Sequence, residues 1–139
     1  MDIYTKTILR FASNIPNAER LKSPDVSITK RTAVCGSSMT VDLNIKNGKI
    51  EDIGLDIKAC ALGQASASIF AKNAIGLTLK EVQKLKNELI GFLKTGDFQI
   101  KTPFEDYKYL DPARSVPYRH DSILLVLDST EECLNKWIH

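Results

Sequence analysis

The sequence has few cysteines, no marked excess of charge and no long apolar run. Only three of its 139 residues are cysteine, and the formal net charge is +2. Lys and Arg are scattered rather than clustered, so nothing in the charge pattern predicts nucleic-acid binding. No apolar run approaches the length that crosses a membrane, and the N-terminus lacks a basic-then-apolar signal pattern. We therefore expect a cytoplasmic protein with reduced cysteines that binds neither nucleic acid nor membrane.

The composition is that of an ordinary globular domain. Apolar residues make up 43% and charged residues 26% of the chain, which is typical of soluble proteins. A chain of this length can bury one core, and no repeat or low-complexity tract divides it. We expect residues 1–139 to form a single domain.

The first half of the chain predicts one helix followed by three strands. Apolar residues at helical spacing indicate an amphipathic helix within residues 4–15. Alternating apolar and polar residues then indicate extended segments over 26–34, 39–46 and 53–58. Asn47-Gly48 between the last two is a strong signal for a two-residue hairpin turn. This order predicts a three-stranded antiparallel meander.

The second half is predicted to be helical. A small-residue helix over 61–75 is expected to end at Gly76. The residues from Thr78 to Glu81 have the spacing of a capping box and open an amphipathic helix. Residues 97–117 have no clear period and are predicted to form a loop, and a final helix starts near residue 118. The predicted fold class is α+β, with the helices packed on one face of the sheet.

Two cysteines lie in unusual surroundings. Cys35 opens Cys35-Gly36-Ser37 after an extended segment, and Cys60 precedes a run of Ala, Ser and Gly. Thiolates are soft metal ligands and nucleophiles, and small neighbours leave space for a bulky ligand. The simpler alternative is a pair of buried structural cysteines. The local contexts favour a metal or sulfur site.

These two contexts resemble those of the iron–sulfur cluster scaffold family, the NifU N-terminal, IscU and SufU type. The family has Cys-Gly-Asp after a strand, and Cys35-Gly36 matches its first two positions. It also has Gly or Ala before a cysteine that opens a helix rich in Ala and Ser, as do Ala59 to Ser68 here. The resemblance implies the α+β fold described above and a site that holds a [2Fe–2S] cluster or iron, with zinc possible in its place.

The resemblance implies a third cysteine near the start of the last helix, and this chain lacks it. The corresponding segment is His120-Asp121-Ser122-Ile123-Leu124. Alignment on His and Leu places Asp121 at the cysteine position, whereas an ungapped alignment from Pro117 places Ser122 there. We expect Cys35 and Cys60 to be ligands, with His120 or Asp121 completing the site. Cys133 lies roughly 20 Å along the same predicted helix from His120 and is expected to be a buried structural residue.

Neighbouring polar residues are expected to modify the site. Ser37 stands where the family has an aspartate that is thought to keep the cluster labile. Ser38 and Ser122 are candidates for hydrogen bonds to thiolate sulfur. Three cations, Lys58, Arg114 and Arg119, are candidates for lowering the pKa of a thiol.

The leading function implied by the resemblance is a cluster scaffold or carrier that is not an enzyme. It would receive sulfur from a cysteine desulfurase and pass clusters to apo iron–sulfur proteins. A cluster bridged within a homodimer, with Cys35 and Cys60 from each copy, would have four thiolates. Two alternatives remain open: a sulfur-acceptor accessory protein of a desulfurase, and a zinc-binding or degenerate interaction module.

Overall fold

A three-stranded sheet with helices on one face forms the fold of the protein. The computed structural model describes residues 3–138. In chain order the elements are α1 (Lys6–Ser13), β1 (Val26–Arg31), β2 (Ser38–Lys46), β3 (Lys49–Lys58), α2 (Ala61–Ala71), α3 (Leu79–Thr95), a long 3₁₀ helix (Glu105–Ser115), a short 3₁₀ turn (Pro117–Arg119) and α4 (His120–Ile138). The predicted α+β class is confirmed.

The predicted antiparallel meander is also confirmed. The strand order is β1-β2-β3, and both pairs are antiparallel. Asn47 and Gly48 form the hairpin turn with φ of 54° and 75°, as a tight turn between twisted strands requires. Alternate residues of β2 are buried in the core beneath the helices: Met39, Val41, Leu43 and Ile45.

The register of the sheet gathers three strand ends at one edge of the molecule. Ser38, the first residue of β2, pairs with Arg31 at the end of β1 and with Lys58 at the end of β3. The β1–β2 connection and the residues that follow β3 must therefore lie side by side. This placement follows from the two hairpin registers alone.

Helix α2 is the central helix of the packed layer. It contacts α1 and α4, and α4 crosses β1 and β2. Small side chains at Ala65, Ser66 and Ala67, all fully buried, let the neighbouring helices approach closely. In the described part of the chain, no helix has both the length and the apolar content needed to cross a bilayer.

The end of α2 differs from the prediction. The helix ends at Ala71, so the prediction that it continues to Ile75 with Gly76 as its cap is wrong. The N–H of Gly76 instead donates to the Ile50 carbonyl at 2.8 Å, and the Ile50 N–H donates to the Leu77 carbonyl at 3.0 Å. These bonds to β3 draw the segment away from the helix axis.

The segment predicted as a loop contains the long 3₁₀ helix Glu105–Ser115. Its buried Tyr107 hydroxyl donates to the Ser66 carbonyl at 2.9 Å, which fixes the helix against α2. The first predicted strand ends at Arg31 rather than at residue 33 or 34. The capping box of α3 at Thr78 and Glu81, by contrast, is confirmed.

A buried carboxylate holds the segment before β1 against the sheet. Asp42 is fully buried and accepts hydrogen bonds from Arg20 Nε at 2.7 Å, from Arg20 Nη2 at 3.1 Å and from the Leu21 N–H at 3.0 Å. The Ser27 hydroxyl donates to the same carboxylate. Burial by itself raises the pKa of Asp42, but the hydrogen bonds from Arg20, Ser27 and Leu21 outweigh it and lower the pKa.

Candidate functional site

Cys35 lies in the β1–β2 connection, at the edge where the three strand ends meet. It is half-buried and is the last residue of a turn at residues 33–35. Its Sγ lies 3.1 Å from Thr32 Oγ1 and 3.2 Å from Ser37 Oγ. The turn itself is closed by the Thr32 N–H, which donates to the Ser37 carbonyl at 2.8 Å. The hydroxyl groups next to the Cys35 thiol therefore come from residues close to it in the sequence.

These hydroxyls make Cys35 unusually acidic. Partial burial raises the pKa of a thiol, but hydrogen bonds from Ser37, Thr32 and Ser122 favour the thiolate and lower the pKa of Cys35 to about 7. A large fraction of Cys35 is therefore thiolate at neutral pH. The thiolate is the form that binds metals and attacks electrophiles.

We predict that alkylation of Cys35 by iodoacetamide rises with pH through a midpoint near pH 7. Below that pH the sulfur is protonated and unreactive, and above it the thiolate predominates. Ser37→Ala should move the midpoint upward, because it removes a hydrogen bond to the thiolate. The rates can be measured by peptide mass spectrometry, with Ser13→Ala, which alters an exposed helix-end serine, as control. An unchanged midpoint in Ser37→Ala would show that Ser37 does not stabilise the thiolate.

Cys60 occupies the N-cap of α2, directly after β3. Its backbone is extended, with φ −65° and ψ 169°, and its side chain makes no capping hydrogen bond. The sulfur instead lies 3.4 Å from Ser122 Oγ. Because the N-cap side chain is not used to cap the helix, the Cys60 thiol is available to a ligand.

Ser122 joins the two cysteines across the fold. It is fully buried in the first turn of α4, and its Oγ lies 3.1 Å from Ser37 Oγ as well as near Cys60. Ser37 in turn contacts Cys35, so a continuous chain of polar groups runs from one thiol to the other. Gly63 on α2 makes the space for this contact, since a Cβ there would lie 2.5 Å from Ser122 Oγ.

This site lies in a chain whose sequence matches a known family. Residues 3–96, more than half of the chain, match the family model of the NifU-like N terminal domain. The chain belongs to this family. Most of the paired-cysteine region, including Cys35 and Cys60, falls inside the match, whereas Ser122 lies outside it.

Individual relatives of this NifU-like chain agree with that assignment. It is 38% identical to a nitrogen-fixing NifU-like protein (N-terminal) from Brucella abortus, whose crystal structure superposes with a TM-score of 0.92 over 98% of this chain and 94% of that one. It is 22% identical to the iron–sulfur cluster assembly scaffold protein IscU of Thermotoga maritima over 96% of this chain and 94% of the relative. A SUF-system protein from Fervidobacterium islandicum, 21% identical with a TM-score of 0.82 over 95% and 96% of the two chains, shares the fold.

His120 and Asp121 lie in a groove, away from the contacts that join the two cysteines. Both line an open groove of about 500 Å³ between α3 and α4, together with Arg114. The His120 Nε2 lies 2.9 Å from the Ala113 carbonyl oxygen. Because a carbonyl only accepts, Nε2 carries a hydrogen, and Nδ1 is the acceptor nitrogen in the neutral form of the ring. Metal-binding histidines commonly have this arrangement.

The predicted ligands are therefore only partly assembled. Within residues 3–138, no three or more His, Cys, Asp and Glu side chains form a group positioned to hold a metal. Cys35 and Cys60 are joined through Ser37 and Ser122, whereas His120 and Asp121 belong to the groove. Of the two residues that the alignments offer for the third family position, Ser122 is the one that contacts Ser37 and the Cys60 thiol.

The structure also shows the surroundings of other residues that the sequence analysis named. Cys133 is fully buried, as predicted, and burial raises its pKa to about 12. Of the three cations, Arg119 has a raised pKa, chiefly through a hydrogen bond with Tyr118, and the charge of Cys60 contributes least. The sulfur contact predicted for Ser38 is made by Ser37 instead. Thr32 was not predicted, and its position three residues before Cys35 was the signal that could have identified it.

Proposed function

We propose that this protein is an iron–sulfur cluster assembly scaffold that holds iron and sulfide at Cys35 and Cys60. The observation that carries the proposal is the meeting of two half-buried thiols from separate elements, one of them acidic, in a chain of the NifU-like family. Soft thiolates suit iron–sulfur clusters. The family membership and the IscU relatives support the scaffold role.

In this proposal the site binds its cargo and passes it to another protein, and it does not catalyse a reaction. The cluster, or iron and sulfide, is cargo, and zinc is an alternative occupant. Cys35 and Cys60 supply the two sulfur ligands in this proposal. Either His120, through Nδ1 with its Nε2–H held by the Ala113 carbonyl, or Asp121 completes the site once it turns from the groove toward the thiols. The whole of residues 1–139 acts as one domain in this proposal.

The partners follow from the cargo. A cysteine desulfurase supplies sulfur, and apo iron–sulfur proteins receive the cluster. A homodimer in which two copies each contribute Cys35 and Cys60 provides four thiolates, the number that a [2Fe–2S] cluster takes.

Anaerobic reconstitution with iron and sulfide tests the proposal. We expect iron and labile sulfide in equal amounts and a visible absorption band in the wild-type protein. Cys35→Ala and Cys60→Ala should each abolish the band, because each removes one of two sulfur ligands. Cys133→Ala is the matched control: its sulfur is fully buried and lies 3.5 Å from the Val41 carbonyl, so cluster content should not change.

A second function is favoured by the hydroxyl groups around Cys35. A sulfur acceptor needs one accessible thiolate, and Cys35 is half-buried with three hydroxyls that favour this form. Its thiolate would attack the outer sulfur of a desulfurase persulfide, the sulfur–sulfur bond of the enzyme would break, and the enzyme thiolate would leave. Zinc alone or no metal after reconstitution, with a sulfur adduct of about 32 Da on Cys35 after desulfurase treatment, would replace the scaffold proposal by this one.

A further inference from the structure

The hydroxyl of Ser122 contacts the Cys60 thiol directly and the Cys35 thiol through Ser37. Its Oγ lies 3.4 Å from Cys60 Sγ and 3.1 Å from Ser37 Oγ, which lies 3.2 Å from Cys35 Sγ. The residue is fully buried in the first turn of α4. Packing of α4 on α2 fixes this position, because Gly63 lets the two helices meet at Ser122.

A serine at this position donates hydrogen bonds but is a poor ligand for a soft metal. A neutral hydroxyl has one donor hydrogen and two acceptor lone pairs, whereas soft metals and iron–sulfur clusters select thiolates. A cysteine at position 122 would place its sulfur near Cys60 and Ser37, where the Ser122 hydroxyl now lies. A hydroxyl therefore occupies a position beside the thiols that a third sulfur could take.

We propose that Ser122 determines cargo specificity by limiting the site to two sulfur ligands and orienting both thiols through hydrogen bonds. A metal held in this way keeps a coordination position open to a thiol from outside the chain. That open position is where a recipient protein engages the cargo before it takes the cargo over. This inference rests on the proposed function, since it concerns the same two cysteines.

Cobalt binding tests the inference without any activity assay. Co²⁺ serves as the probe, because sulfur-to-cobalt charge-transfer absorption increases with the number of bound thiolates. For the wild-type protein we expect absorption of two thiolates per cobalt and an increase when 2-mercaptoethanol is added. Ser122→Cys should start with absorption about half as intense again, since three thiolates replace two, and should respond less to the added thiol.

Ser122→Ala separates the positioning role from simple space filling. It should leave the absorption per bound cobalt unchanged and weaken cobalt affinity by roughly 10- to 100-fold, as loss of a hydrogen bond to a ligand commonly does. Ser129→Ala is the matched control: Ser129 is fully buried on the same helix, and its hydroxyl has no partner among the described residues. This control should bind cobalt like the wild type.

Three results overturn the inference: no response of the wild type to 2-mercaptoethanol, an unchanged spectrum in folded Ser122→Cys, or wild-type affinity in Ser122→Ala. The wild-type measurement needs no variant, so the inference stays testable if Ser122→Cys fails to fold. A wild-type protein that binds no cobalt and assembles no cluster counts against the proposed function itself. If the wild-type protein binds cobalt but any of the three results above is found, only the role of Ser122 is contradicted.

Discussion

Replacement of Gly63 by alanine is expected to destabilise the protein by about 1–3 kcal/mol, as overpacking of a close contact does. The new Cβ would lie 2.5 Å from Ser122 Oγ and 2.9 Å from the Ala59 Cβ. The Ser122 hydroxyl can rotate away, but the Ala59 Cβ is rigid, so α2 must shift. Both movements separate Ser122 from Ser37 and Cys60. We therefore also expect a loss of cobalt affinity similar to that of Ser122→Ala, roughly 10- to 100-fold.

Gly91→Ala is the matched control for this prediction. Gly91 lies inside α3, and a Cβ at this position would meet nothing within 4 Å. Alanine there should stabilise the protein by about 0.5–1 kcal/mol, because alanine is the better helix former, and should leave cobalt binding unchanged. Denaturant unfolding and cobalt titration measure both effects. If Gly63→Ala has the same stability and cobalt affinity as the wild type, the contact between α2 and α4 does not require glycine at position 63.

Replacement of Asp42 by alanine is expected to lower the free energy of unfolding by about 1–3 kcal/mol, the cost of leaving buried hydrogen-bonding groups without their partner. The carboxylate is fully buried and accepts hydrogen bonds from Nε and Nη2 of Arg20, from Ser27 and from the Leu21 N–H. Its loss leaves the Leu21 amide without this acceptor. The segment before β1 should then detach from the sheet.

An exposed ion pair supplies the control for Asp42→Ala. Lys30 and Glu132 lie 3.4 Å apart with side chains 39% and 49% exposed. Glu132→Ala should change the free energy of unfolding by less than about 1 kcal/mol, because solvent screens such pairs. Urea unfolding of the two variants and the wild type measures the difference. Equal losses of unfolding free energy in the two variants would mean that the buried Asp42 carboxylate stabilises the protein no more than the exposed ion pair does.

Elements whose signals are local were predictable from the sequence. The Asn47-Gly48 turn and the flanking alternation specified the hairpin, and the Thr78 and Glu81 capping box specified the start of α3. In these cases neighbouring residues make the interactions that stabilise the element.

Elements that depend on distant contacts were not predictable in this way. The long 3₁₀ helix Glu105–Ser115 has no helical period in its sequence, and it is held by Tyr107 reaching Ser66 on α2. The early end of α2 depends on hydrogen bonds between Ile50 on β3 and the residues around Gly76. The residues within either segment do not indicate which distant residues they will contact.

The same division applies to the candidate site. The sequence by itself determined the family and predicted Cys35 and Cys60 as site residues, because each has a local motif around it, and the hairpin registers determine that their strand ends meet. Only the tertiary structure showed that Ser122 is the residue that lies beside the Cys60 thiol. Adjacent residues of a helix point about 100° apart, so an alignment shifted by one residue selects a different face. The packing of α4 on α2 at Gly63 turned Ser122 toward the thiols.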